Sequence, residues 1–311
     1  MYNNTIIKET FECQIKKSVK SIHKFENVPN NQVYKIETES QPYIFKIYSS
    51  GWPEDNKLPF VVNKLDEYKI PHAKLFVFDR GDSNFPHGYL IEECLQGITA
   101  DRLKMSIDET KKLFEKLAVL VSQVHQIKLK NFGYTGGGIA MWTTFSEFIY
   151  DMFDDCTSNL RVNNLICAAS LETIKQELHK KLIVCDQFPS VLCHGDLSTK
   201  NILVHSDEIV LIDWDDTQSL CWMADIARLT FWMKLNYDEE TADTYRKVFL
   251  NRYETEYDKN IFYEIEDTLH VWYGLDYLNF SVGNPHYQSE NVKAILQNSL
   301  KQCNMEMITC L

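Results

Sequence analysis

Over the first ninety-odd residues, apolar and polar positions alternate in short runs. Segments 19–26, 32–38 (QVYKIET) and 43–48 (YIFKIY) are rich in β-branched or aromatic residues and bounded by Asn, Pro or Ser, which predicts three strands. Ser40-Gln41-Pro42 reads as the turn of a hairpin. A helix is expected over 54–68, ended by Pro71, and Pro59 inside it predicts a late start or a kink. Segments 74–78 and 88–93 predict two more strands. One helix with a five-strand sheet points to an α+β lobe.

After Gln96-Gly97 the period lengthens. Leu113, Leu117, Leu120, Val121, Val124 and Ile127 fall at helical spacing, so 108–127 reads as an amphipathic helix with Asp108 at its start. Segments 144–156 and 169–183 repeat that pattern, and 131–138 (NFGYTGGG) reads as a loop. Segment 191–213 returns to strand, and 222–303 reads as a run of helices. The expected fold class is α+β and bilobal: a small mostly-β lobe with one helix over 1–93, then a larger helical lobe over 94–311.

Composition changes this picture little: 311 residues, 44% hydrophobic and 24% charged, are ordinary globular values that allow a sizeable core. The nine cysteines form no C-x-x-C pair, which disfavours a disulfide framework or a zinc cluster and suits a reducing cytoplasm. No apolar signal segment opens the chain, and no run is long enough to span a bilayer. Neither a membrane partner nor an obligate protein partner is evident. Charge is more informative. The net charge is −12, and from His205 onward 19 acidic residues face 8 basic ones. Nucleic acid is an unexpected partner for such a surface. The acidity reads either as a solvated surface or as a field for a cationic ligand.

Candidate chemistry sits in VLCHGDLSTKNILVHSDEIVLIDW (191–214). An apolar strand runs into His194-Gly195-Asp196, and two apolar runs flank His205-Ser206-Asp207. A hairpin centred near residue 207 places Asn201 opposite Asp213, with Asp196 on the loop leading in. Carboxylate and amide oxygens without His or Cys suit a hard cation such as Mg²⁺. One further carboxylate suits a base for a hydroxyl proton. Phosphoryl transfer needs that pairing, and His194 to Asn201 matches the kinase spacing H-x-D-x-x-x-x-N.

HGDLSTKNIL followed by IDW resembles the aminoglycoside phosphotransferase family, a branch of the protein-kinase-like fold that also holds choline and homoserine kinases. Gly195 and Asp213-Trp214-Asp215 stand where protein kinases have Arg and D-F-G, and there is no A-P-E, so the resemblance points away from protein substrates. It implies Asp196 as catalytic base, Asn201 and Asp213 on Mg²⁺, and ATP or GTP as donor. It makes Lys46 the contact for the α- and β-phosphates and the loop 27–32 their cover. The backbone of Glu93 and Leu95 would meet the nucleobase, and Asp225, in Asp225-Ile226-Ala227, would support the catalytic loop. The family's glutamate partner for the lysine falls on Leu58; Glu54 is the best substitute, with Asp55 also possible. Asp215 and Asp216 are candidates to assist metal or substrate. His125, on an apolar helix face, reads as a core residue. The aromatic helix 262–280 reads mainly as core, with Glu264, Glu266, Asp267 and Asp276 as candidates to line an acceptor pocket.

The expected function is transfer of a γ-phosphoryl group from ATP or GTP to a hydroxyl of an aminoglycoside-like or other small hydroxylated, cationic acceptor, and with it antibiotic resistance. Choline or an amino alcohol is the alternative acceptor. A nucleotide-binding pseudokinase is the alternative of another class.

Overall fold

The structure is a computed structural model, and it describes the chain except residues 1, 2, 27, 29, 55, 82, 137–139, 284–288 and 306–311. Asp55, and Asn27 and Pro29 of the expected phosphate loop, therefore lie outside the described residues. Two compact units divide the chain. The first takes Met1–Arg102, Thr135–Gly138 and Ile202–Asp215; the second takes Leu103–Tyr134, Ile139–Asn201 and Asp216–Leu311.

The first unit opens with α1 (Asn4–Ile15), β1 (Val19–Lys24), β2 (Gln32–Thr38), β3 (Pro42–Ile47), α2 (Lys57–Glu67), β4 (Leu75–Asp79), β5 (Tyr89–Glu93) and β6 (Ile98–Thr99). The second continues with α3 (Ile107–Val124), β7 (Gly133–Tyr134), α4 (Phe145–Cys156), α5 (Ser158–Val162), α6 (Ala168–Leu182) and β8 (Val191–Cys193). The chain returns to the first unit for β9 (Ile202–His205) and β10 (Glu208–Leu211). It closes in the second with β11 (Gln218–Leu220), α7 (Trp222–Asn236), α8 (Glu239–Arg252), α9 (Asn260–Ser281) and α10 (Ser289–Gln302).

The five expected strands of the first unit form one antiparallel sheet in the order β1-β2-β3-β5-β4. Side chains alternate across a strand, and the two faces differ. Tyr34, Ile36, Tyr43, Phe45, Ile47, Tyr89 and Ile91 make one buried cluster with Ile7 and Phe11 of α1. Lys46 pairs with Leu90 across the β3–β5 ladder, so Lys46, Leu90 and Glu92 share the opposite face.

Helix α1 was not expected from the pattern: the sheet carries two helices, not one. Its sequence is mostly polar, and a twelve-residue helix is marginal alone. Asn3 caps it through Thr5 N at 2.9 Å. Ile7 and Phe11, four apart, bury completely, each contributing about 1.5–3 kcal/mol. In α2 the late start is the outcome at Pro59. The helix begins at Lys57, so Pro59 falls in the first turn, where its missing N–H costs nothing.

The β9–β10 hairpin closes with His205 opposite Glu208 and Ile202 opposite Leu211. Its centre lies between Ser206 and Asp207, near the expected position. The connection is a two-residue turn in which Ser206 takes a left-handed φ of 54°.

In the second unit, α3 begins with a capping box in which Ser106 and Glu109 cap each other's backbone. Helix α7 is apolar nearly all round and correspondingly buried, and it packs against α9 and α8. Strand β11, too short to read from sequence, lies between β7 and β8 and pairs Gln218 with Cys193, the residue before the His-Gly-Asp loop. All eight cysteines among the described residues are free. No helix among the described residues is long and apolar enough to cross a membrane.

Candidate active site

The second unit holds Asp196 in a braced loop. Asp225, on the first turns of α7, accepts hydrogen bonds from His194 N (2.8 Å) and Gly195 N (3.0 Å). His125, at the end of α3, bonds Asp225 Oδ2 through Nε2 (3.2 Å) and Tyr253 Oη through Nδ1 (2.8 Å). Burial would push the Asp225 carboxyl up; the bonds from His125 and the loop amides outweigh it and hold it below the usual carboxylate range. The expected supporting role of Asp225 thus has a geometry, and His125 is a working part of it. Cys193 offers a third ligand atom near His125 and Asp225. The His and Asp are already committed to each other, and Cys193 Sγ is bonded to Cys221 O, so the cluster reads as a brace.

Gly195 is where protein kinases carry Arg, and the structure shows why this loop requires glycine. Its φ is +81°, and a Cβ built there would lie 1.9 Å from the Asp216 carbonyl oxygen. Gly195→Ala must move either the Asp196 loop or the 216 backbone. It is expected to cost about 2 kcal/mol or more and to displace Asp196. Thermal unfolding and turnover measured together check this; a variant matching wild type in both would contradict it.

Asp196 itself is buried. Asn201 Nδ2 donates to its carbonyl (2.9 Å) and to Oδ2 (3.0 Å), which leaves Asn201 Oδ1 as the atom available to a cation. Lys200 Nζ lies 2.8 Å from Oδ2, and Arg228 Nη2 lies 3.6 Å from Oδ1. Asp196 and Asn201 are therefore brought together.

The first unit holds Lys46 with Asp213. Lys46 Nζ lies 2.7 Å from Asp213 Oδ1 and 2.5 Å from Asp215 Oδ2. Burial alone would lower the Lys46 pKa, but Asp213 and Asp215 hold it above the ordinary lysine value. Tyr48 donates to Asp215 Oδ1 at 3.2 Å, and its hydroxyl is pushed well up, first by burial and then by Asp215. Asp213 sits at φ 64°, uncommon for a residue with a side chain.

Glu54 is a correction. It does not pair with Lys46; its Oε2 lies 2.7 Å from Lys57 Nζ, one helical turn away. Lys57 is fully buried, bonds the Asp215 carbonyl at 3.1 Å, and lies 3.8 Å from the centre of the Trp52 ring. The pairing is local (i, i+3), and the buried ammonium needs a counter-charge. Lys46 finds its carboxylates in Asp213 and Asp215 instead. Of these Asp215 was only a candidate, and Lys57 carried no sequence signal.

Glu93 ends β5, its N–H donating to Lys74 O at 2.9 Å, and Leu95 follows where the ladder has ended. Glu92, one step earlier on the Lys46 face, was missed. Burial first, with Asp213 and Asp215 adding and Lys46 opposing, pushes its carboxyl up to about 7. On α9, Glu266 is taken by Arg246, and Asp267 by Lys234 at 3.4 Å and Ser299 at 3.0 Å. Asp276 is the acidic group of that helix near Asp196's surroundings, 3.8 Å from Arg228 Nη1.

Among solved structures the chain resembles a thermostable mutant of aminoglycoside phosphotransferase APH(4)-Ia in ternary complex with ADP and hygromycin B. Identity is 16%, 96% of each chain is covered, and the TM-score is 0.72. It also resembles a putative fructosamine-3-kinase from Thermobifida fusca (14%, 96% of this chain and 99% of that one, TM-score 0.67). A third likeness is choline kinase LicA from Streptococcus pneumoniae (18%, 97% and 99%, TM-score 0.65). No curated protein matches the chain. These likenesses share the bilobal, protein-kinase-like α+β fold expected from the sequence. The model of the phosphotransferase enzyme family matches residues 22–262. The chain belongs to that family and is a phosphotransferase with an alcohol group as acceptor.

Proposed function

We propose that the protein transfers the γ-phosphoryl group of ATP or GTP to a hydroxyl of a small hydroxylated acceptor. The observation that carries this reading is the Asp196–Asn201 pair, held on a loop whose backbone Asp225 fixes. A buried carboxylate fixed by neighbours suits the orientation of an attacking hydroxyl and the receipt of its proton. Lys46 steadies the α- and β-phosphates as a buried cation on β3. Glu93 and Leu95 meet the base through their backbone. Asn201 and Asp213 each offer an oxygen donor of the kind that suits Mg²⁺, which would neutralise phosphate charge when bound. The role of 1–93 as the nucleotide lobe and of 94–311 as the catalytic and acceptor lobe belongs to the same reading, as does a cytoplasmic setting.

Three observations support it. One likeness is a ternary complex of ADP with hygromycin B, another is a choline kinase, and a third a putative fructosamine-3-kinase. Aminoglycoside-like acceptors, with antibiotic resistance as the outcome, and choline-like acceptors both fall within it. The pseudokinase alternative would need a reason for Asp196, Asn201, Asp213 and Lys46 to be present together.

The test is phosphoryl transfer from Mg·ATP and Mg·GTP to aminoglycosides, sugars, polyols, choline and ethanolamine, followed by ADP or GDP release. Transfer to one acceptor is the expected result. Mg·nucleotide binding without any transfer would favour the pseudokinase. Absence of nucleotide binding would overturn the reading.

A further inference from the structure

The surroundings of Asp196 hold an imbalance. Asp196 is 7% exposed, and its Oδ1 is buried and accepts no hydrogen bond among the described residues. Arg228, three residues beyond Asp225 on α7, has a side chain only 15% exposed. Its guanidinium carries five N–H donors and makes no hydrogen bond among the described residues. Its carboxylate neighbours are Asp196 at 3.6 Å and Asp276 at 3.8 Å, both beyond bonding distance. Its Nε is buried without an acceptor, and so is Nε1 of Trp232, one turn on. These groups form one cluster. The Trp232 ring lies 5.9 Å from the Arg228 guanidinium and 5.5 Å from Lys200 Nζ, which is 2.8 Å from Asp196 Oδ2. Tyr273 lies 5.1 Å from the guanidinium, and Tyr277 packs edge-on to Trp232 at 5.5 Å.

A buried donor or acceptor left unsatisfied costs about 1–3 kcal/mol. One orphaned acceptor oxygen on the proposed base and two orphaned donors beside it therefore describe a ligand. It must give one hydrogen to Asp196 and offer an oxygen to Arg228 and Trp232. Two oxygens on adjacent carbons do both, and the aromatic rings give the carbon frame an apolar wall. An ammonium beside the reacting hydroxyl cannot meet the second need. It has no lone pair for Arg228 or Trp232, and the guanidinium repels it. A carboxylate is also unsuited, because Asp196, Asp216 and Asp276 already act on Arg228.

We propose that Arg228 and Trp232 are specificity-determining residues that take the oxygen next to the attacking hydroxyl, so that the acceptor presents a neutral, vicinally oxygenated rim of the sugar or polyol type. The inference rests on the kinase reading above and narrows its acceptor. The acidic surplus after His205 then serves amines farther from the reacting carbons, or none. Choline and ethanolamine, whose hydroxyl neighbours an ammonium-bearing carbon, are excluded.

The experiment uses the full chain with Mg·ATP and Mg·GTP. Acceptors are glucose, myo-inositol, glycerol, hygromycin B, kanamycin, choline and ethanolamine. The phosphorylated position is read by ³¹P–¹H NMR. Transfer is expected at a hydroxyl whose neighbouring carbon bears oxygen. Arg228→Gln and Trp232→Phe should each raise KM for that acceptor about tenfold, with a smaller change in kcat and an unchanged nucleotide Kd. Trp232→Phe keeps the ring and so guards against loss of fold. Transfer to choline, ethanolamine or any hydroxyl beside an amine-bearing carbon would overturn the inference, as would an unchanged KM in both folded variants. Nucleotide binding with no transfer to any acceptor would overturn it as well. Failure of the wild type to bind nucleotide would instead sink the kinase reading beneath it.

Discussion

Asp196→Asn lowers kcat by about 10²–10⁴-fold, the usual contribution of a positioned general base, while Mg·nucleotide binding stays near wild type. The substitution keeps the shape of the side chain. Asn201 Nδ2 can still reach an oxygen at position 196, and the Asn201 bond to the 196 carbonyl is untouched. The group lost is the charge that would take the hydroxyl proton. That change also leaves Lys200 and Arg228 without their shared carboxylate, so a modest fall in unfolding temperature is expected. The rate loss must therefore be read beside circular dichroism and a nucleotide Kd. Turnover within tenfold of wild type in a folded variant would remove Asp196 from the role of base.

Much of this site was legible in the sequence, because kinase-like chemistry leaves a dense local signature. HGDLSTKN fixes the spacing of Asp196 and Asn201, and two short apolar runs carry the chain to Asp213. The sheet was legible too, since alternation over five to seven residues survives irregular ends. The failures share a physical cause: each needed a partner distant in sequence or a signal erased by burial. Helix α1 has few apolar residues, and only contact with the sheet makes Ile7 and Phe11 informative. Strand β11 is three residues long and exists because β7 and β8 flank it. Arg228 and Trp232 lie on α7, where apolar residues surround the axis and no polar face stands out. Position along the chain offers Glu54 to Lys46, but Lys57 competes for it at one helical turn, and nothing in the sequence ranks the two. Asp215 reads in the sequence only as an assistant, though it shares Lys46 with Asp213 and accepts from Tyr48.

Asp225→Ala is expected to carry the largest loss of stability, about 3–5 kcal/mol, because buried donors left without an acceptor cost about 1–3 kcal/mol each. Three donors lose their acceptor at once: His194 N, Gly195 N and His125 Nε2. The backbone amides are the important ones, because they hold the turn into Asp196. Transfer should fall with stability, and at temperatures where the variant remains folded kcat should still be depressed, since the loop is no longer fixed. The pH dependence separates this from a generic core defect. The folded-state pKa of Asp225 is held below its unfolded value, so its contribution is complete above the unfolded carboxylate range of about 4 and is lost as pH falls through the folded value. The stability gap between wild type and Asp225→Ala, from denaturant unfolding, should thus be constant above about pH 5 and narrow in acid. A gap that stays constant into strong acid would mean that the cost of the substitution is lost packing, and that the carboxylate does not hold the catalytic loop.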